Sequence, residues 1–541
     1  MEGQSHYWSR LLSKQVSRRQ ALRSAVSGAL GLAGLYLAGC APAPKAPPTP
    51  AKAGPVYGGI LRVASKGTIG EEPHKSLGGN FDNMARNQLY NTLVGLDNKA
   101  NPVNDQLAES WEIPEPDKFI FRLRKSIQFH DGVDFNASVV RFNYQRIIDT
   151  PAFADRKSRL QQAVKSMEVI DDYTVRYNLT GPYGGFLAGV ANDSMCAMVS
   201  PEAAKKYNND LTKYGVGTGP FQHQEWLQDD HVTMKRFDGY WKKGLPYLDS
   251  VVAKIIPDTV VQTTMLKTGE IDFLSEVEGK FIEDLRRSQD IEVVIKPAAG
   301  ISAIFINSKE PPFNNKAVRQ ALAYAIDKEA IQKSVFQGLN TMAHGQFSPV
   351  YWFYDPSLKG YPYDPAKAKA KLAEGGYPDG LEIEALTSPN YPQLVEMAEA
   401  VQAQVAKVGM KLKIQNIEWA KFLDLSKQGR YKMRFSRTNT GPDPAWHVAY
   451  NLHPIKAPYA AAVSADFPEL RQLMEKGEQT YDKEERGRIY NQLERSIIEE
   501  VYYNIPVVWE SIMLAYRKQV SNYVPGIEVP RWFFESVWKT A

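Results

Sequence analysis

Cys40 closes the run Leu37-Ala38-Gly39, directly after an apolar stretch and directly before the Pro/Ala-rich run 41–53. A cysteine at that junction reads as a lipidation site, so the foldable chain is expected to begin at Cys40, held on the outer face of a membrane. Residues 1–39 then form an export signal. Its basic n-region is Ser17-Arg18-Arg19-Gln20-Ala21-Leu22-Arg23, a twin-arginine pattern, followed by a Gly/Ala/Leu core from Ser24 to Gly39. That core is too short and too glycine-rich to span a bilayer as a helix. Ala21 stands where the usual twin-arginine signal has Phe, which leaves the export route open. A buried N-terminal helix would not need an arginine pair, apolar core, small residues and cysteine in the order that export requires.

Export also settles the charge. Five of the 65 basic residues and one of the 61 acidic residues lie in 1–39, leaving 60 of each. The sequence pI of 8.6 therefore belongs largely to the signal, and a nucleic-acid partner loses its compositional support. With Cys40 acylated, Cys196 is the other cysteine of the chain. An intramolecular disulfide and a cysteine-based zinc or iron–sulfur framework are thereby excluded. Flanked by Met195, Ala197 and Met198, Cys196 reads as a small buried hydrophobe. About 500 residues remain after cleavage, too many for one core, so two or more lobes are expected. Residues 41–55 read as an extended tether.

Periodicity predicts strands at 60–64, 119–124 and 251–256 and helices at 137–148 and 259–268, the latter stopped by Gly269. Asn314 or Asn315 can cap a helix carrying Val318, Leu322, Ala325 and Ile326 on one face; Asp364-Pro365 opens another that Gly375-Gly376 closes. Leu381, Ile383 and Ala385 alternate, Leu394 to Val408 follow a helical period, and Leu412 and Ile414 alternate again. That β-α-β unit predicts a right-handed crossover and a mixed or parallel sheet. The catalytic templates fail: there is no Gly-x-Ser-x-Gly, His-Glu-x-x-His, Walker loop or Cys-x-x-Cys. In Gly215-Val216-Gly217-Thr218-Gly219-Pro220 a proline follows where a phosphate-binding helix should start, and His130-Asp131-Gly132 reads as a turn. His447 and His453, near Asp443, read as surface groups before metal ligands, and no cofactor or metal is expected.

Laid end to end, several segments resemble the solute-binding proteins, family 5, of ABC importers of peptides, dipeptides and nickel. They include Tyr90-Asn91-Thr92-Leu93-Val94, Leu107-Ala108-Glu109-Ser110-Trp111, Phe121 to Lys125, Phe129-His130-Asp131-Gly132, Gly217 to Phe221, Pro246 to Asp249, Gly269 to Asp272, and Val318 to Asp327. The resemblance implies an α/β, periplasmic-binding-protein-like two-lobed fold (type II, cluster C) with an extra subdomain. Its expected partition is 1–39 signal, 40–55 lipidated Cys and tether, 56–87 first lobe, 88–200 extra subdomain, 201–300 first lobe again, 301–505 second lobe, and 506–541 return to the first. It also implies partners: a small-molecule or peptide-like solute, an ABC permease and ATPase, and the membrane through the lipid anchor, with the receptor itself a monomer outside the cytoplasm and not an enzyme. Most of these residues, Trp111 and Leu248 among them, and Trp241 of the similarly placed Tyr240-Trp241 pair, are expected to hold the fold.

Between Trp419 and Tyr450 the sequence departs from the peptide-binding members. Those resemble it in a Glu-Trp pair, here Glu418-Trp419, followed by a strand and an Asp-containing loop. Aligning their acid-proline pair on Asp443-Pro444 puts Thr440 where they carry the aspartate for the peptide ammonium, and Arg437 where they carry a tryptophan. The expectation is a neutral or anionic ligand, because a buried Arg437 without an acceptor is costly. Tyr431, Met433, Phe435 and Arg437 share one strand face, which brings Arg437 to the carboxyl end where open α/β sheets bind ligands. Trp419 and Trp446 are expected as apolar walls, with Asp443 or Tyr450 orienting the loop. The rival classes are an exported hydrolase or metal-dependent enzyme, disfavoured by the missing motifs, and a receptor that senses without transport.

Overall fold

The computed structural model describes residues 54–67, 69–75, 82–97, 99–192, 196–439, 441–445, 448, 467–526 and 533–540. Cys40, the signal, most of the tether, Thr440, Trp446, His447, Tyr450 and His453 lie outside the described residues. From Val56 onward the chain forms one compact unit.

Two long antiparallel strands, Ile291–Ile306 and Asn504–Arg517, carry the architecture. They pair from Ile291↔Arg517 to Pro297↔Ser511 and resume at Ile301↔Trp509, so Ala298, Ala299 and Gly300 face Glu510 alone. A bulge of this kind bends the strand and raises its local twist. It divides one continuous sheet into two lobes. Toward the first lobe the order runs from Asn504–Arg517 through Phe273–Leu274, Ile60–Ser65, Ser250–Ile255 and His231–Arg236 to Phe221–Leu227; toward the second it runs from Ile291–Ile306 through Met433–Asn439 and Leu381–Thr387 to Met410–Asn416.

Each lobe covers both faces of its half-sheet, as strand alternation requires. In the second lobe Ile304 and Ile306 join Val318, Leu322, Met397, Val401, Met433 and Phe435 on one face. Ala303 and Phe305 join Phe422, Tyr490, Leu493 and Trp509 on the other. In the first lobe Leu61, Val63, Val251, Phe273 and Leu514 form one core and Ala64, Leu266, Leu274 and Ala515 the opposite one. A separate antiparallel sheet, ordered Ala108–Glu115, Lys118–Leu123, Thr174–Leu179, Val164–Asp171, packs with the helix Ala137–Asp149 around Phe119, Phe121, Phe129, Phe135 and Val140. Cys196 is half-buried at the edge of that core.

Local chemistry sets the element ends. Asp258 caps Thr259–Thr268 through the Val260 and Val261 N–H groups, and Gly269, at φ +84°, ends it in the left-handed conformation that glycine tolerates. Asn315, not Asn314, caps Lys316–Tyr324, and Asp364 caps Pro365–Glu374. Leu381–Thr387 and Met410–Asn416 pair in parallel, joined by Pro392–Ala406 with Leu394, Met397, Val401 and Val405 buried. The Gly215–Gly219 run is a close-packing device: a Cβ on Gly217 would sit 2.1 Å from the Leu89 carbonyl oxygen and on Gly219 2.3 Å from that of Gln88. His130-Asp131-Gly132 is a turn in which the Gly217 N–H donates to His130 Nδ1 at 3.2 Å and Nε2 faces the Gly219 carbonyl at 3.1 Å. Burial lowers the His130 pKa to about 4. Glu418 caps the helix Trp419–Lys427, and the strand expected after the Glu418-Trp419 pair follows at Met433–Asn439.

Candidate ligand cleft between the lobes

In the first lobe Ile60–Ser65, Ser250–Ile255 and Phe273–Leu274 run parallel, so their carboxyl ends lie together and lead into Lys66 and Ser275-Glu276. In the second, Leu381–Thr387, Met410–Asn416 and Met433–Asn439 are likewise parallel and lead into Ser388, Ile417-Glu418-Trp419 and the loop after Asn439. The two sets of carboxyl ends face each other: Arg437 Nη1 of the second lobe lies 3.9 Å from Glu276 Oε1 of the first. Crevices outside the carboxyl ends of parallel strands are where open α/β sheets hold ligands.

Arg437 is not without an acceptor, which corrects the premise drawn from sequence. Its Nη2 donates to Glu510 Oε2 at 2.6 Å, and Glu510 Oε1 accepts from Ser302 Oγ at 3.0 Å. The Arg437 side chain is 27% exposed and that of Glu510 12%. The Glu510 carboxylate raises the guanidinium pKa further above its ordinary value, outweighing burial, with Glu276 adding to the effect. Glu510 is the residue at the bulge and packs against the glycine opposite: a Cβ on Gly300 would lie 2.6 Å from Glu510 Oε2 and would have to displace the carboxylate that holds Arg437.

An aromatic wall stands beside this pair. The Arg437 guanidinium lies over Tyr391 at 5.5 Å, Tyr391 meets Trp419 edge-on at 5.1 Å, and Trp419 stacks on Phe422 at 5.2 Å. Burial raises the Tyr391 pKa, so its hydroxyl remains a neutral donor. Thr387 Oγ1 and Ser388 Oγ, at the carboxyl end of their strand, are buried with no hydrogen-bond partner among the described residues. Such groups ordinarily find a partner.

Asp443 serves a different purpose. Arg486 Nη1 and Nη2 donate to Asp443 Oδ2 and Oδ1 at 2.8 and 2.6 Å, and the Ala445 N–H donates to Oδ1 at 2.9 Å. The pair is buried, with side chains 8% and 5% exposed, and it fixes the start of the loop without offering a free carboxylate. The extra subdomain closes over it: a Cβ on Gly185 would sit 3.0 Å from Asp443 Oδ1. The Gly184 N–H donates to the Glu478 carbonyl at 2.7 Å and the Tyr183 N–H to Tyr481 Oη at 3.0 Å, while Tyr481 Oη donates to the Pro116 carbonyl.

Of the residues expected from sequence, the structure brings Arg437 and Trp419 to one wall through Tyr391 and sets Asp443 in its own ion pair. Tyr391, Glu510, Ser302 and Glu276 were missed. Tyr391-Pro392 could have been found as the turn at the carboxyl end of the first strand of the β-α-β unit; the others meet through pairings of distant segments. Among the described residues no group of three or more His, Cys, Asp or Glu side chains could hold a metal ion.

Residues 102–455 match the family model for bacterial extracellular solute-binding proteins, family 5 Middle. The glutathione-binding protein GsiB of Escherichia coli K12 is 32% identical over 444 residues, covering 80% of this chain and 86% of its own. The periplasmic binding protein DppA of Helicobacter pylori, solved in complex with the peptide STSA, is 27% identical with a TM-score of 0.78, over 90% of this chain and 98% of its own. The binding protein AgaA of A. tumefaciens R10, solved in complex with agropinic acid, is 26% identical with a TM-score of 0.77, over 89% and 99%. With parallel strands opposed across a cleft and these matches over most of its length, the chain belongs to the family 5 extracellular solute-binding proteins.

Proposed function

We propose that the protein is a lipid-anchored receptor that captures a small, peptide-like solute bearing a carboxylate between its closing lobes and delivers it to an ABC permease and its ATPase. The observation that carries this reading is the cleft itself: Arg437, Tyr391 and Trp419 from one lobe and Glu276 from the other converge at the carboxyl ends of parallel strands. A receptor needs an aromatic wall and a few placed polar groups, and it closes because solute touches both lobes and so favours the closed state. Arg437 has five N–H donors, of which one goes to Glu510; its remaining donors suit a solute carbonyl or carboxylate. Thr440, Trp446 and Tyr450, outside the described residues, stay candidates from sequence alone. The relatives named for glutathione and solved with peptide support a peptide-like solute, and Cys40 supports the anchor.

The test is calorimetry with reduced glutathione and with the peptide STSA, on wild type and Arg437→Ala, alongside solution scattering. Binding of either should reduce the radius of gyration, and Arg437→Ala should weaken it on the order of tenfold, the worth of one charge-assisted hydrogen bond. A native mass spectrum of protein from its own cells that contains no solute, together with no compaction by either probe, would overturn the reading.

A further inference from the structure

On the first-lobe side of the cleft two partly exposed opposite charges lie close together without a hydrogen bond between them. Lys66 follows the strand Ile60–Ser65 and Glu276 follows Phe273–Leu274 two residues on. Because Val63 pairs with Phe273 and Ala64 with Leu274 in parallel register, Lys66 and Glu276 continue neighbouring strands at the same level. Their charged atoms are 4.0 Å apart, beyond hydrogen-bond range. The other groups around them have closer partners. Arg437 is held by Glu510 at 2.6 Å and only approaches Glu276 to 3.9 Å; Glu278 is held by Lys280 at 2.7 Å and only approaches Lys66 to 3.8 Å. Lys66 and Glu276 are thus an ammonium and a carboxylate, 24% and 38% exposed, with no hydrogen bond to any described residue.

Resting on the reading that the cleft binds a peptide-like solute, we propose that Lys66 and Glu276 form a two-signed subsite for a free amino-acid head group, in which Glu276 accepts from the solute ammonium and Lys66 donates to the carboxylate on the same carbon. The complement of a cation and an anion about 4 Å apart is a group carrying both signs at similar spacing, and each half-exposed charge exchanges water for a charge-assisted bond. An α-linked peptide fits poorly, since its amino-terminal carbon bears an amide where Lys66 calls for a carboxylate. A γ-linked glutamyl peptide, an amino acid or an N-substituted amino-acid conjugate keeps both groups. The position also ties recognition to closure, because the solute ammonium would lie beside the Glu276 that Arg437 of the opposite lobe approaches.

Two isomeric tripeptides of equal charge test this: γ-Glu-Ala-Gly, with a free amino-acid head, and α-Glu-Ala-Gly, without one, with N-acetyl-γ-Glu-Ala-Gly as the third arm. Wild type should bind the γ-linked peptide at least about tenfold tighter than either other probe in calorimetry. Glu276→Gln and Lys66→Met should each bring the γ-to-α ratio close to one while leaving the thermal midpoint of the solute-free protein unchanged. Equal or reversed preference in wild type, a ratio that survives both substitutions, or no binding of the γ-linked peptide would overturn the subsite. A native mass spectrum with a bound solute lacking an amino-acid head group would overturn it while leaving the receptor reading intact; loss of binding to every probe with no solute carried from the cell would overturn both.

Discussion

Glu494, on the helix Lys483–Glu500 of the second lobe, is 2% exposed, and its Oε1 accepts from the Phe347 N–H at 2.9 Å. The space opposite is tight: a Cβ on Gly345 would lie 2.2 Å from that oxygen and 2.8 Å from Leu358 Cδ2. Burial pushes the carboxyl from its ordinary 4.5 up to about 8, against the opposing pull of the Phe347 and Gln346 backbone N–H groups. The folded protein therefore keeps this proton at neutral pH while the unfolded chain has lost it. The associated stability is fully present below pH 4.5, falls as pH rises toward 8, and is level above that. At 1.36 kcal/mol per pH unit the interval amounts to about 5 kcal/mol. Glu494→Gln keeps an oxygen for Phe347 and a donor in place of the acid proton, but it does not titrate. With an unfolding entropy of about 2 cal/mol/K per residue, 1 kcal/mol moves the midpoint of a body this size by about 1 °C. The variant should therefore match wild type near pH 4.5 and melt about 5 °C higher at pH 8.5, read by calorimetric scans at matched ionic strength. Parallel midpoints of the two proteins from pH 4.5 to 8.5 would show that Glu494 is already ionised in the fold and would refute the argument.

Gly184→Ala places a Cβ 2.5 Å from the Thr480 carbonyl oxygen across the contact between subdomain and second lobe; overpacking of this kind costs about 1–3 kcal/mol, so the solute-bound protein should scatter as a more open particle and bind about tenfold more weakly, with unchanged compaction counting against it. Asp443→Ala strands the Arg486 charge among buried groups and should lower unfolding free energy by about 3–5 kcal/mol in urea; adding Arg486→Met should recover most of that, and an equal loss in the double variant would mean the pair is not the cause. Cys40→Ser should abolish acylation and leave residues 1–39 attached or the protein mislocalised, as read by intact mass of the membrane fraction. Wild-type protein from its host that carries no lipid and keeps the leader would rule out the anchor.

The local grammar of the chain was readable where one segment decides its own structure. The caps Asn315 and Asp364, the stop at Gly269 and the β-α-β unit from Leu381 to Asn416 follow from side chains within a few residues of the backbone they satisfy. Features that depend on distant segments were not readable. Arg437 meets its acceptor Glu510 from 73 residues away. Arg434 illustrates the same limit, since a strand covered on both faces buries the charged side of its alternation: its guanidinium lies 4.2 Å over Phe305 and 5.2 Å over Tyr431. The glycine run 215–219 resembled a phosphate loop because close approach to another backbone and close approach to a phosphate ask for the same residue.

The pairing of Ile291–Ile306 with Asn504–Arg517 also dictates the order in which the molecule can come into being. Asn504–Arg517 is translated after every long strand it supports, yet it lies between Phe273–Leu274 and Ile291–Ile306 in the middle of the sheet. While a ribosome is still reading upstream of residue 504, the first lobe lacks the strand that joins Phe273–Leu274 to Ile291–Ile306, and the second lacks the neighbour on which Ile301–Phe305 completes its hydrogen bonds. Neither lobe can mature during synthesis. Both must acquire their central strand in one late event, so a truncation anywhere before that strand abolishes two lobes at once instead of sparing the one already made.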